Sequence, residues 1–201
     1  MPSSKRITGR GHGVLIALAL GAALAGCAPL RPERAAPSLA PERAKSLAAL
    51  PRWRLEGRIG VQTMEDAWQA NLFWDHEPTQ DRLRVSGPLG QNMVSIVVQK
   101  DLIYVNEGQG VERLSRDPEG LLRERLGFAV PLNSLRYWIL GVPDPAASLS
   151  GGEGAGFRQS GWTVQVDRLM EVGNHALPQR LRVWGSGVKL KILADHWEIE
   201  G

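Results

Sequence analysis

The sequence predicts a mainly β (α+β) fold, in which a curved antiparallel sheet carries a helical insertion. From Arg52 onward, apolar and polar residues alternate with a period of two, which is typical of strands with one buried and one solvated face. The connections between these segments are short and rich in Gly, Pro and Asp, as in a meander. Between residues 118 and 141 the apolar spacing becomes helical. We therefore expect an incompletely closed antiparallel barrel with helices over one mouth.

The first 26 residues have the organisation of a bacterial secretory signal. Basic residues precede an apolar run over Val14–Leu24, which is too short to span a bilayer. Small residues then lead to Cys27, the only cysteine, and Leu24-Ala25-Gly26-Cys27 resembles a lipobox. The resemblance implies cleavage before Cys27, followed by N-acylation and S-diacylglycerol attachment at that residue. An ordinary cleaved signal followed by a free thiol is the alternative.

The residues after Cys27 predict a tether to a membrane. Residues 27–40 combine the acylated cysteine with an Ala-, Arg- and Ser-rich stretch punctuated by proline, which we expect to be extended and disordered. Residues 41–201 are then expected to form one domain. Ala28 stands where proteobacterial lipoproteins retained in the inner membrane tend to have aspartate, so the anchor is expected in the outer membrane, with the domain facing the periplasm.

The charge of the chain argues against nucleic-acid binding. The formal net charge is +3, but three of the 24 basic residues and none of the 21 acidic ones lie in the first 26 positions. The mature chain is therefore near neutral and lacks the basic surface that nucleic acid requires. Because no cysteine remains for a disulfide, the fold depends on packing alone.

The helices are predicted from their caps and apolar spacing. A short helix is expected at 41–50, a second after the capping residue Asp117 and up to Gly127, and a third from Pro131. Residues 144–156, rich in Gly and Ser, are expected to form a loop. Strands are predicted at 52–62, 68–75, 82–86, 94–98, 102–105, 157–159, 161–169, 180–184, 188–193 and 195–199.

Catalytic and metal-binding patterns are not evident in the sequence. The histidines of the mature chain, His76, His175 and His196, lack the close spacing of a zinc site. Neither a nucleophile elbow nor a phosphate-binding loop is present, and Asp195-His196 is more typical of a solvated strand end than of an acid–base pair. We expect no metal, no cofactor and no enzyme activity. A lipid-cleaving enzyme would need a nucleophile and base that meet only in the fold.

Residues 130–143 read Val-Pro-Leu-Asn-Ser-Leu-Arg-Tyr-Trp-Ile-Leu-Gly-Val-Pro. This string resembles the LolB family of outer-membrane lipoprotein receptors, in which a Pro-x-x-x-Leu-x-x-Trp-Ile-x-Gly-x-Pro pattern recurs. The resemblance extends from about Arg52 to Trp197, although the family often has tyrosines where this chain has Val166 and Leu169. Shorter matching pieces follow the family's order at 57–61, 72–74, 87–90, 161–164, 177–178 and 188–190.

The resemblance implies a fold and a function. The fold is an unclosed antiparallel barrel, related to the periplasmic carrier LolA, whose helical lid encloses an apolar cavity. The function is to accept acylated lipoproteins from that carrier and release them into the phospholipid of the outer membrane's inner leaflet, without nucleotide, as a monomer. The alternative is a structural or assembly lipoprotein that binds a protein partner through its sheet.

Leu89 is the main candidate for membrane insertion. Gly87-Pro88-Leu89-Gly90 has turn chemistry between two strands, so Leu89 is expected at an exposed tip. The resemblance implies that this leucine enters the membrane to discharge cargo. The alternative is a leucine folded back onto the core.

Large apolar side chains are the candidates for the acyl cavity. Ordinary core packing is the competing interpretation for all of them, because inward tryptophans and helix-face leucines are usually core. Arg54 and Arg58 are candidates for carrier contact, although a solvated strand face is the simpler interpretation. The cavity candidates are Trp74, Trp138, Trp162, Leu122, Leu126, Leu135 and Ile139.

Overall fold

The computed structural model describes residues 40–87, 89–90, 93–100, 102–108, 112–153 and 156–200. The side chains at 112, 125, 126 and 153 are not part of that description. The predicted signal, Cys27, the tether to residue 39 and Pro88 therefore lie outside the described residues, as does the side chain of Leu126.

The described strands form one antiparallel sheet of eleven members, in the order β6-β5-β4-β3-β2-β1-β11-β10-β9-β8-β7. Strands β1 and β11 pair at its centre, and β6 and β7 are its two edges. The predicted fold class, an open antiparallel barrel with a helical lid, is confirmed. The strands are β1 Arg52–Gln62, β2 Ala67–Glu77, β3 Gln80–Ser86, β4 Val94–Gln99, β5 Leu102–Asn106, β6 Glu112–Ser115, β7 Leu149–Glu153, β8 Gly156–Gln159, β9 Trp162–Val172, β10 His175–Gly185 and β11 Val188–Glu200.

The described helices are α1 Pro41–Ala48, α2 Pro118–Leu126 and α3 Leu132–Trp138. Helix α2 has the predicted ends, because the Asp117 carboxylate accepts a hydrogen bond from the backbone N–H of Gly120 at 2.9 Å and Gly127 adopts φ 77°. Helix α1 ends at Ala48, two residues earlier than predicted. Pro51 disfavours helical geometry in the residue before it, which shortens the helix.

Helices α2 and α3 connect the two edges of the sheet and cover its inner face. Together they form the lid. The chain leaves β6 at one edge of the sheet and enters β7 at the other edge, so the connection crosses the open side. Apolar side chains of both helices join the inward side chains of the strands in one hydrophobic core. This core includes Leu55, Leu72, Val164 and Leu190 from the strands and Leu122, Leu135, Trp138 and Ile139 from the helical side.

The structure corrects three parts of the predicted strand pattern. Strand β6, with the sequence Glu-Arg-Leu-Ser, was not predicted and pairs with β5 at the edge of the sheet. The predicted loop at 144–156 contains β7, which pairs with β8 although its Leu-Ser-Gly-Gly-Glu sequence has no alternation. The predicted break near residue 194 is instead a β-bulge inside the continuous strand β11. Glu56 pairs with His196 and Gly57 pairs with Ala194, so Asp195 is the extra residue and the buried positions change phase there.

Candidate functional site

The connection between β3 and β4 presents Leu89 at one end of the sheet. The backbone N–H of Gly90 donates to the carbonyl of Gly87 at 2.9 Å, and the Asn71 side-chain amide donates to the same carbonyl at 3.2 Å. Leu89 is 86% exposed, as the turn chemistry predicts. The end of the sheet that carries this connection is called the Leu89 end below. The β1–β2, β8–β9 and β10–β11 connections lie at the same end.

A cleft of about 690 Å³ opens at the Leu89 end. The β1–β2, β8–β9 and β10–β11 connections form one part of its lining, and the segment joining α2 to α3 forms another. Trp68, Phe128 and Trp162 contribute aromatic surface, while Glu65 and Arg123 contribute charge. The arrangement suits a long apolar molecule with a polar end, because apolar and charged groups line the same opening.

The three candidate tryptophans occupy different environments. Trp162 lines the cleft, and its ring lies 6.1 Å from that of Trp138. Trp138 is fully buried, and its indole N–H donates to the side-chain oxygen of Gln159 at 2.8 Å. Trp74 is also buried, and its indole N–H donates to the Asp81 carboxylate at 2.8 Å. The structure therefore brings Trp138 and Trp162 together and places Trp74 elsewhere in the core.

The helical candidates whose side chains are described belong to the lid and face the core. Leu122, Leu135 and Ile139 are buried in the core shared with the strands. Ile139 directly follows the last residue of α3, and Leu122 is on α2. These positions fit both core packing and the inner wall of an acyl cavity, so the assignment to a cavity stays a prediction.

Comparison with known proteins decides the family. The family described as "Outer membrane lipoprotein LolB" matches residues 51–197. The chain belongs to the LolB family. LolB is the outer-membrane lipoprotein receptor of the Lol pathway, a lipoprotein-localisation protein and not an enzyme.

Individual relatives share this membership over most of their length. The outer-membrane lipoprotein LolB of Thiobacillus denitrificans is 32% identical, with 88% of this chain and 92% of that protein covered. LolB of Nitrosococcus oceani is 29% identical, with the same coverages. Among solved structures, a LolA superfamily protein from Nitrosomonas europaea is similar with a TM-score of 0.49 at 9% identity, covering 79% of this chain and 94% of that one.

Two arginines of this LolB-family chain lie in ion pairs on the outer face of the sheet. Arg54 contacts Asp75 and Glu198, and Arg58 donates two hydrogen bonds to Asp195. Hydrogen bonding to Asp75 raises the pKa of Arg54, and hydrogen bonding to Asp195 raises the pKa of Arg58. This placement is the solvated strand face that the alternation favours, and carrier contact through these residues stays a prediction.

Sequence reasoning did not identify two buried polar groups that hold the lid. Gln159 is fully buried on β8, and its side-chain amide donates to the carbonyls of Asp144 and Ala147 at 2.9 and 2.7 Å. Asp81 on β3 accepts from His76 at 2.8 Å and lies 3.9 Å from Arg136 of α3. The sequence alternation did indicate that Gln159 is buried, because it lies two residues after Phe157 on the same face of the strand.

Within the described parts of the chain, no helix is long and apolar enough to cross a membrane. The same residues contain no group of three or more His, Cys, Asp or Glu side chains placed to hold a metal ion.

Proposed function

We propose that this LolB-family chain accepts acylated lipoproteins from a LolA-type periplasmic carrier and inserts them into the inner leaflet of the outer membrane. The observation that best supports this proposal is the placement of Leu89. It is an exposed leucine on a turn, at the end of the sheet where the cleft opens. A bulky apolar side chain in water is unfavourable, and a lipid surface removes that cost.

The acyl chains of the cargo enter through the cleft and lie against the inner face of the lid. Trp162 lines the entrance, and Trp138 is its neighbour on the inner side. Leu122, Leu135 and Ile139 extend the apolar surface from the helical side. We assign Leu126 to the same surface and Trp74, which lies elsewhere in the core, to the part of the cavity wall away from the opening. Each buried methylene contributes about 0.8 kcal/mol, so small differences in apolar fit between carrier, receptor and bilayer drive transfer without nucleotide.

The chain is anchored by its own lipid. We assign residues 1–26 to the signal peptide, Cys27 to N-acyl and S-diacylglycerol attachment, and residues 27–40 to the tether. The domain over 41–201 then faces the periplasm as a monomer. Several acyl chains on one cysteine anchor stably, whereas a single chain is marginal. The relatives that share the family are named outer-membrane lipoproteins, which supports this location.

A transfer assay tests the proposal. The mature chain, residues 27–201 with Cys27→Ala, is mixed without nucleotide with the carrier preloaded with a labelled lipoprotein. We expect the label to move onto this protein, and then into added liposomes. A label that stays on a competent carrier, while circular dichroism shows that this protein is folded, contradicts the receptor function. An assembly lipoprotein that binds only protein partners is not favoured by the family membership.

A further inference from the structure

A second exposed apolar side chain accompanies Leu89 at the Leu89 end. Met64 lies in the β1–β2 connection and is 93% exposed. Successive connections of an antiparallel meander alternate between the two ends of the sheet. The β1–β2 and β3–β4 connections therefore share an end and are neighbours there. Met93, in the β3–β4 connection, and Leu149, which pairs with Gln159 beside the β8–β9 connection, are exposed at this end too.

The opposite end lacks comparable side chains in the described part of the chain. Its described connections contain Pro78, Thr79 and Lys100, and Gly173 with Asn174 between β9 and β10. None of the large apolar residues that are exposed lies there. The two that remain, Tyr104 and Leu114, face each other across β5 and β6, away from the connections. Single exposed apolar residues are ordinary, but concentration at one end marks an interaction surface.

The turn that carries Met64 is held by its own hydrogen bonds. The Thr63 hydroxyl accepts from the backbone N–H of Asp66 at 2.9 Å and of Glu65 at 3.2 Å. The Thr63 N–H donates to the Asp66 carbonyl at 2.8 Å, and the Asp66 carboxylate accepts from the N–H of Ala67 at 2.7 Å. Met64 is thus presented on an ordered turn, so little backbone entropy is lost when it meets a partner.

Met64 also lies beside the cleft. It contributes to the lining together with Trp68, whereas Leu89 does not. In the row of connections at this end, the Met64 turn stands between the Leu89 connection and the β10–β11 connection at Ser186, which also lines the cleft. A chain that moves from the cleft toward Leu89 therefore passes Met64.

We propose that Met64 is a second membrane-contacting residue, and that the protein docks with its Leu89 end against a bilayer of zwitterionic lipid, which brings the cleft opening to the lipid. The inference rests on the proposed function. Glu65 and Asp66 directly follow Met64 in the same turn, so an anionic surface repels this turn and a zwitterionic one does not. Apolar side chains on separate tips suit a bilayer, because lipid accepts each one independently, whereas a protein interface needs a contiguous packed core.

Single-cysteine probes test this docking. Cys27 is the only cysteine, so the Cys27→Ala chain accepts one reporter at a chosen site. An environment-sensitive fluorophore is attached to Met64→Cys, to Leu89→Cys and to the matched control Leu114→Cys, whose native side chain is 60% exposed but away from this end. Each protein is titrated with phosphatidylcholine vesicles, with an equal mixture containing phosphatidylglycerol, and with the carrier alone.

We expect a blue shift at positions 64 and 89 and none at 114, stronger with phosphatidylcholine alone. We also expect Met64→Ser to lower vesicle partition about tenfold and Leu114→Ser to leave it unchanged. A shift at 89 without one at 64 overturns this inference and leaves the proposed function standing. A shift at 64 with the carrier only assigns the surface to protein contact and overturns membrane docking. Equal shifts at all three sites mean adsorption without orientation and also overturn it.

Discussion

The indole N–H of Trp138 donates to the side-chain oxygen of Gln159 at 2.8 Å, in a part of the core that solvent does not reach. The same oxygen accepts the backbone N–H of Asp144 at 2.9 Å, and the Gln159 amide reaches two backbone carbonyls. One side chain of β8 thus joins the end of α3 to the segment that follows it. The lid is attached to the sheet by polar contacts as well as by apolar packing.

Replacing Gln159 is expected to destabilise the protein strongly. Gln159→Leu roughly preserves the side-chain volume but removes the partner of the buried Trp138 and Asp144 N–H groups and of two backbone carbonyls. At about 1–3 kcal/mol for an unsatisfied buried group, we expect a loss of roughly 3 kcal/mol or more in the free energy of unfolding. Urea denaturation measures it. The matched control is Gln69→Leu on the exposed face of β2, for which we expect about 0.5 kcal/mol or less. Equal losses would mean that the Gln159 contacts contribute nothing specific.

Gly57, which lies opposite the bulge at Asp195, leads to a second prediction about stability. A Cβ placed on Gly57 would overlap the backbone carbonyl oxygen of Leu193, so the paired strands must separate to admit it. We expect Gly57→Ala to cost at least about 2 kcal/mol. A Cβ on Gly60, in the same strand, would have its nearest neighbours at 3.8 and 3.9 Å, which is ordinary contact. Gly60→Ala should therefore be neutral or slightly stabilising.

Thermal and urea unfolding of the two glycine variants decide the point. A Gly57→Ala protein as stable as the Gly60→Ala protein would show that the bulge relaxes freely. Such a result would remove the structural reason for glycine at position 57.

The strands were predictable wherever one face is buried, because the alternation of apolar and polar residues directly records that burial. Strands β6 and β7 were not, since pairing with β5 and β8 rather than their own side chains makes them strands. The bulge at Asp195 was read as a break between two strands because the phase of the apolar residues changes there. Such a change has the same sequence signal whether the chain turns or bulges.

The candidate site was predictable only in part, for a similar reason. Turn chemistry places Leu89 at a tip without any knowledge of the fold. Alternation directs Trp74 and Trp162 inward, but it does not tell a packed core from a cavity wall. The partners of Gln159 lie 12 to 21 residues earlier in the chain, so its role depends on how α3 packs against β8.

The Asp81 carboxylate provides a contrast between buried and surface charge. It is buried and accepts hydrogen bonds from Trp74 and His76, whereas Asp75 pairs with Arg54 on the outer face. We expect Asp81→Leu to destabilise the protein by about 2–4 kcal/mol, because both donors lose their acceptor in the core. Asp75→Leu should change stability little, since exposed ion pairs contribute little. Comparable losses in urea denaturation would contradict the distinction.

Leu89 is predicted to act at release and not at acceptance of cargo. Leu89→Glu places a charge on an exposed tip that lines no part of the cleft, so folding and transfer of label from the carrier should be unchanged. Insertion into liposomes should fall at least about tenfold, because a carboxylate resists entry into lipid. Leu114→Glu introduces the same charge at another exposed leucine and should insert cargo normally. If Leu89→Glu inserted cargo at the rate of Leu114→Glu, the membrane role of Leu89 would be wrong, while acceptance from the carrier would stand.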